Sequence, residues 1–115
     1  MRVLIAIEPR SYREAIGETL RYLRPHLEVA VVEPEKLWGE IVRFGPALVM
    51  ADRPNTFPTA GTRDWVEFRP YEKPPARICL GGRLRELMTI DLPDLVSVVD
   101  EAEELARRST DAPSH

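Results

Sequence analysis

The chain has 115 residues, of which 43% are hydrophobic and 30% are charged, and its formal net charge is −3. This length predicts one domain with a sizeable core, and the charge provides no general attraction to nucleic acid or to an anionic membrane. The single cysteine, Cys79, excludes an internal disulfide and fits a reducing compartment. The N-terminus lacks a signal-peptide core and no stretch reaches the ~18 apolar residues of a membrane span, so we expect a cytoplasmic protein.

The chain begins with a strand pattern followed by a helix pattern. The segment VLIAI, residues 3–7, is an unbroken apolar run, which is typical of a strand covered on both faces. Ser11 and Glu14 have the spacing of a capping box, so we expect a helix to begin there and to end before Pro25. Its apolar positions are Ile16, Leu20 and Leu23.

The same alternation continues to residue 51. A second strand is predicted at 29–32, and Pro34 opens a helix that Gly45 can close in the left-handed conformation. The apolar face of this helix contains Leu37, Ile41 and Phe44. A third strand follows at 47–51. A β-α-β-α-β unit with short connections closes into a parallel sheet, and we predict a flavodoxin-like α/β fold with strand order 2-1-3.

The segment after the third strand predicts a loop and then a strand. Residues 53–63 are rich in proline, glycine, threonine and asparagine, as loops are. Residues 65–71 alternate well enough for a strand, with Val66 and Phe68 on one face. Pro70 cannot donate a ladder hydrogen bond, so this strand lies at a sheet edge or ends there.

The glycine pair Gly81-Gly82 predicts a tight antiparallel hairpin between two extended arms. In that register Arg77 faces Glu86 across the strands as a favourable charge pair. The alternative is a short helix at 83–88, because the apolar residues there also fit helical spacing. This helix would lead into a fifth parallel strand.

A final helix is predicted from about Pro93 to Arg107, capped by Asp91. Its apolar face, which we expect to pack onto the sheet, contains Leu95, Val98, Ala102 and Leu105. We therefore assign residues 1–108 to a single domain and residues 109–115 to a flexible tail.

Two carboxylates stand where ligands gather in an open parallel sheet. Glu8 follows the first strand and Asp52 follows the third, and in the order 2-1-3 these strands are neighbours. The two residues should therefore face each other across one crevice. Asp52 could be a phosphate acceptor, a metal ligand or a structural cap ahead of Arg53 and Pro54, and the frequency of aspartate in turns favours the cap.

The segments VLIAIEP and PALVMAD, with the helix between them, resemble the first half of a response-regulator receiver domain. The resemblance implies that Asp52 occupies the position of the phosphate-accepting aspartate and that Glu8 and Pro9 match a Glu-Pro pair. The remaining positions depart from that family. The acidic pair of receivers falls on Ala6 and Ile7, Gly81-Gly82 replaces the serine or threonine after strand four, and no lysine occurs in ELMTIDLP, residues 86–93.

These departures predict a signalling or protein-interaction module that has lost phosphotransfer and is not an enzyme. Without the lysine and the hydroxyl, phosphoryl oxygens lose their preorganised partners. The alternative is a small hydrolase of phosphate esters, in which Glu8 and Asp52 hold a weakly bound Mg²⁺. The favoured interpretation requires no cofactor.

The segment 63–85 carries a local positive charge together with aromatic side chains. Candidate surface residues in and beside it are Trp65, Arg69, Tyr71, Arg83 and Arg85. Arginine and aromatic side chains can stack on bases, so weak nucleic-acid binding is one alternative, although true binders are more basic. We expect instead a protein partner, and specifically a homodimer through the C-terminal β region, because exposed strand edges pair with other chains.

Overall fold

The computed structural model describes residues 1–55, 64–70 and 75–111. Six strands, three α-helices and one short 3₁₀ helix occur in these ranges. In chain order they are β1 (Arg2–Ala6), α1 (Arg10–Leu23), β2 (Glu28–Val31), the 3₁₀ helix (Pro34–Lys36), α2 (Leu37–Phe44), β3 (Leu48–Ala51), β4 (Asp64–Glu67), β5 (Ala76–Leu80), β6 (Arg83–Leu87) and α3 (Leu92–Asp111). None of the helices in the described ranges combines the length and the apolar character that crossing a membrane requires.

The six strands form one mixed sheet in the order β2-β1-β3-β4-β5-β6. The strands β2, β1, β3 and β4 are parallel, which confirms the predicted order 2-1-3 for the first three. Strand β5 then runs antiparallel to β4, and β6 antiparallel to β5. The protein is thus α/β with a parallel core and an antiparallel C-terminal part. Residues 83–88 form no helix that leads into a fifth parallel strand.

Strands β1 and β3 are apolar, apart from the exposed Arg2 that begins β1, because both of their faces are buried. Residues 3–7 and 48–51 have no exposed surface. Alternate residues of each strand enter different clusters: Val3, Ile5 and Met50 pack on the side of α1 and α3, whereas Leu4 and Val49 pack on the side of α2. Burying each of the large side chains contributes about 2 kcal/mol.

The hairpin at Gly81-Gly82 is confirmed. Both glycines have positive φ, 57° and 81°, which is the backbone conformation that a two-residue type I′ turn requires. Arg77 pairs in register with Glu86, with Arg77 Nε 3.9 Å from a Glu86 carboxylate oxygen. The carboxylate of Asp64 at the start of β4 accepts a hydrogen bond from the Gly81 N–H at 3.0 Å, so a β4 side chain anchors the turn.

The final helix covers the antiparallel part of the sheet on one side. Its buried residues Leu95, Val98 and Ala102 share a core cluster with Ile78 and Leu80 of β5, as the amphipathic pattern predicted. Helix α3 thus covers one face of the antiparallel strands. Asp91 caps the helix reciprocally with Asp94, as each carboxylate accepts the N–H of the other residue, at 3.0 and 3.1 Å. The helix includes residues 109–111 of the predicted tail; residues 112–115 lie outside the described ranges.

The capping box predicted at the start of α1 is wrong. The helix begins at Arg10 with Pro9 as its N-cap, and no side chain caps it. The Pro9 carbonyl accepts the N–H groups of Tyr12 and Arg13, at 3.0 and 3.2 Å. Since the helix starts earlier than predicted, Ser11 is already helical, and the Glu14 carboxylate accepts a hydrogen bond from Arg10 Nε at 2.7 Å instead.

The α1 helix lies close against strand β2 at Gly17. A Cβ atom there would lie 2.6 Å from Cγ2 of Val31 in β2. We expect Gly17→Ala to reduce the free energy of unfolding by about 1–3 kcal/mol, because overpacking forces the helix away from the strand. Urea denaturation measures this change. Gly39→Ala is the matched control, since Gly39 lies in α2 with nothing within 4 Å of its added methyl, and it should be neutral or stabilising by up to about 1 kcal/mol. Equal effects of the two substitutions would contradict the close approach.

The anchor at Asp64 predicts a pH dependence of stability. Burial raises the pKa of the Asp64 carboxyl, although its hydrogen bond from Gly81 acts in the opposite direction. The folded protein therefore retains a proton that the unfolded chain releases above the ordinary pKa of 3.8, so this group makes stability fall as pH rises from there through the folded pKa. Asp64→Asn keeps an acceptor for Gly81 but cannot ionise.

Urea midpoints of both proteins from about pH 3 to 7 measure the effect. The difference in unfolding free energy should move in favour of Asp64→Asn as the pH rises, and Asp64→Ala, which leaves the Gly81 N–H without its acceptor, should be less stable than Asp64→Asn. A constant difference across the range would contradict the assignment.

Candidate functional site at the carboxyl edge of the sheet

The fold brings the two sequence-predicted carboxylate residues together. Strands β1 and β3 are paired in parallel, with Ala6 opposite Ala51, so the residues that follow them emerge at the same edge. The backbone N–H of Glu8 donates a hydrogen bond to an Asp52 carboxylate oxygen at 3.4 Å. Residues 44 positions apart in sequence thus meet in the crevice as predicted, but through a backbone group of one and the side chain of the other.

Both oxygens of the Asp52 carboxylate have protein partners. One accepts the Glu8 N–H, and the other accepts a hydrogen bond from Arg53 Nε at 3.2 Å. The Asp52 side chain is 17% exposed. This arrangement satisfies a backbone donor at the end of β1 and neutralises the carboxylate locally. Of the three roles considered for Asp52, the geometry therefore favours the structural cap.

The Glu8 carboxylate lies beside a buried guanidinium group. Arg13 Nη1 is 3.5 Å from a Glu8 carboxylate oxygen and donates to the Ile7 carbonyl at 3.4 Å. Arg13 is only 7% exposed. Sequence reasoning missed this residue, although a signal was present: Arg13 precedes Ile16 by three positions and Leu20 by seven, which places it on the buried face of α1.

At the candidate Mg²⁺ site, the carboxylates of Glu8 and Asp52 are already paired with arginine side chains. Arg13 lies beside one carboxylate and Arg53 beside the other, so a metal ion would compete with both guanidinium groups. Among the described residues there is also no group of three aspartate, glutamate, histidine or cysteine side chains that could hold a metal ion. Mg²⁺ needs near-octahedral oxygen ligation, and this crevice supplies it poorly.

The residues that replace the receiver hydroxyl position lie far from Asp52 in the sheet. Because β5 runs antiparallel to β4, its end at Gly81 returns to the edge where β4 begins, and Gly81 hydrogen-bonds to Asp64 there. Asp52 follows β3 at the opposite edge. A serine or threonine introduced at residue 81 or 82 would still be at the wrong end of the strands for a phosphoryl group on Asp52.

The predicted surface of arginine and aromatic side chains is not a single surface. Trp65 is a core residue, only 3% exposed: its ring stacks on Trp38 with centroids 6.1 Å apart, and its indole N–H donates to the Arg53 carbonyl at 2.9 Å. Base stacking on Trp65 is therefore excluded in this conformation. Tyr71 lies outside the described residues.

The three predicted surface arginines lie at different places. Arg69 follows β4 near the carboxyl edge and pairs with Glu67 at 3.2 Å. Arg83 and Arg85 are exposed on β6, and Arg85 pairs with Glu101 of α3 at 3.2 Å. The charge excess seen in the sequence is thus divided between the carboxyl edge and the hairpin, which weakens the case for a nucleic-acid interface.

No family model matches the chain, and no curated protein or solved structure matches it either.

The engagement of Asp52 predicts that it is a poor phosphate acceptor. We expect less than stoichiometric labelling, close to none, when the protein is incubated with a small-molecule phosphodonor and Mg²⁺, because in-line attack needs a free carboxylate oxygen and preorganised partners for the phosphoryl group. Intact-mass spectrometry detects the added phosphoryl mass. Asp52→Asn is the control for labelling elsewhere. Stoichiometric labelling that disappears in Asp52→Asn would overturn the structural role.

Proposed function

We propose that this protein is a non-catalytic interaction module of the cytoplasm, built on a receiver-like sheet, which associates with a second copy of itself through the free edge of β6. The carrying observation is that the crevice carboxylates are engaged by protein groups whereas the outermost strand of the C-terminal half is exposed. Four of the five residues of β6, all but Leu87, are exposed.

The engaged crevice supports the non-catalytic part of the proposal. Asp52 accepts hydrogen bonds from Glu8 and Arg53, and Glu8 lies beside Arg13. A receiver-like sheet with its carboxylates engaged in this way offers no available phosphate acceptor at Asp52. Its remaining means of transmitting information is contact with another chain.

The β6 edge supports the interaction part. Because hydrogen-bonded and non-hydrogen-bonded pairs alternate in an antiparallel ladder, β6 directs the N–H and C=O groups of alternate residues away from β5. Such groups pair readily with another strand. Leu84 in β6 is 64% exposed, and Met88, the residue directly after β6, is 79% exposed.

A second copy of β6 is complementary to the first in one antiparallel register. With a two-fold axis through Glu86, each Leu84 comes opposite Met88 of the second copy, so pairing that extends one residue beyond β6 covers both exposed apolar side chains. The two Glu86 carboxylates then meet at the axis, but each has Arg77 as its neighbour in the adjoining strand at 3.9 Å. The resulting row of charges, Arg77 and Glu86 followed by the same pair reversed, is neutral as a whole.

Leu84→Lys tests the proposed association. The substitution replaces an apolar contact with a charge at the interface, and we expect the wild type to sediment as a dimer and the variant as a monomer in analytical ultracentrifugation. Val42→Lys is the matched control, because it adds the same charge at an exposed apolar residue away from β6. Val42 lies on α2 and is 73% exposed. This variant should remain dimeric. A wild type that remains monomeric at high protein concentration contradicts the proposal, as does equal loss of dimer in both variants.

A further inference from the structure

A groove lies between the β5–β6 hairpin and the C-terminal half of α3. Its volume is about 710 Å³, which falls within the range of small-molecule sites in proteins. The groove is on the α3 side of the sheet, so it is separate from the crevice of Glu8 and Asp52. It is formed because β6 extends the sheet past the buried face of α3.

The base of the groove is apolar. Ile78 and Leu80 of β5 and Leu105 of α3 contribute to it. Leu105 reaches the hairpin turn, where its Cδ1 lies 3.4 Å from the position of a Cβ on Gly81. Chains of methylene groups are the natural complement of such a surface, because each buried CH₂ contributes about 0.8 kcal/mol.

The rim of the groove is basic, although the whole chain is acidic. Arg83, Arg85 and Arg108 line it against one carboxylate, Glu101, which gives a local charge of +2 on a protein of net charge −3. Arg85 is paired with Glu101 at 3.2 Å, and Arg108 is paired with Glu104 at 3.3 Å. Arg83 has no ion-pair partner within the described part of the chain. It is therefore the guanidinium group available to an incoming anion.

We propose that this groove binds a small amphipathic anion, namely an unbranched alkyl carboxylate whose head pairs with Arg83 and whose chain lies along Leu105 and the base of the groove. A guanidinium group pairs with a carboxylate through two parallel hydrogen bonds. The polar side chains of the lining are guanidinium groups and one carboxylate, and the Gly81 N–H is already donated to Asp64. The lining thus suits a charged head with an apolar tail better than a peptide backbone.

This inference goes beyond the proposed self-association and does not depend on it. The two surfaces adjoin at Leu84, which also borders the groove, and they use different substitutions as tests. Ligand binding depends on Arg83 and Leu105, whereas the apolar contact between copies depends on Leu84 and Met88.

Calorimetric titration with decanoate, below its micelle concentration, tests the groove. We expect saturable binding to the full-length wild type. Arg83→Gln should weaken it about tenfold or more, because a hydrogen bond to a charged group is worth about 1.5 kcal/mol or more. Leu105→Gln should also weaken it, since it removes apolar surface from the base. Decanol, which lacks the charge, and acetate, which lacks the chain, should each bind at least about tenfold more weakly than decanoate.

Arg43→Gln is the matched control, because Arg43 is an exposed arginine of α2 that pairs with Glu40 and lines neither the groove nor β6. Its affinity for decanoate should equal that of the wild type. Circular dichroism establishes that each variant is folded. Absence of saturable decanoate binding overturns the inference, and so does binding that neither Arg83→Gln nor Leu105→Gln weakens.

Sedimentation of the same samples separates the two proposals. Decanoate binding by a protein that is monomeric throughout contradicts only the self-association, and a dimer that fails to bind decanoate contradicts only the groove. Binding of equal strength to decanol and decanoate would overturn the role of Arg83 and with it the proposed ligand class.

Discussion

The reversal of strand direction between β4 and β5 determines the rest of this structure. Up to β4 every strand is parallel, and the segments that follow β1, β3 and β4 all emerge at one edge. From β5 onward the sheet is antiparallel, so Gly81 returns to the opposite edge and binds Asp64. The carboxyl ends of β1 to β4 therefore lie at the edge opposite the Gly81-Gly82 turn, while β6 becomes the outermost strand and forms a groove with α3.

The electrostatics of the carboxyl edge follow from this division. In the crevice Asp52 and Glu8 meet Arg53 and Arg13 rather than a second acidic residue or a lysine. A buried guanidinium group needs nearby acceptors, and Arg13 has two, the Ile7 carbonyl and the Glu8 carboxylate. The Glu8 carboxylate is therefore paired with a side chain of α1, and the Asp52 carboxylate is held by the Glu8 N–H and by Arg53.

Local patterns predicted the sheet well where a single physical cause dominates. The apolar run at 3–7 has that composition because both faces of β1 are buried, and Gly81-Gly82 turns because both positions need positive φ. The predictions failed where the outcome depends on a competing backbone contact or on a residue distant in sequence. Ser11 has the spacing of a cap, but the Pro9 carbonyl already accepts the first helical N–H groups, so the N-cap lies two residues earlier. The arginines near Trp65 in the sequence suggested a surface position. The residue is buried against Trp38, which is 27 positions away, so no local pattern could predict this contact. Arg13 was missed because a charged residue is expected at the surface, whereas its spacing from Ile16 and Leu20 places it on the buried face of α1.

The stacked pair of Trp38 and Trp65 has a spectroscopic consequence. These are the two tryptophans of the chain, and both belong to the cluster on the α2 side of the sheet. Tryptophan emission, and the near-ultraviolet circular dichroism that arises when two indoles lie this close, therefore originate from a single location between α2 and β4. The opposite layer, with α1, α3 and the arginine-rimmed groove, contributes no indole signal of its own. Intrinsic fluorescence consequently distinguishes the two sides of the sheet: a change in emission reports a disturbance that has reached the α2 layer, whichever side it began on.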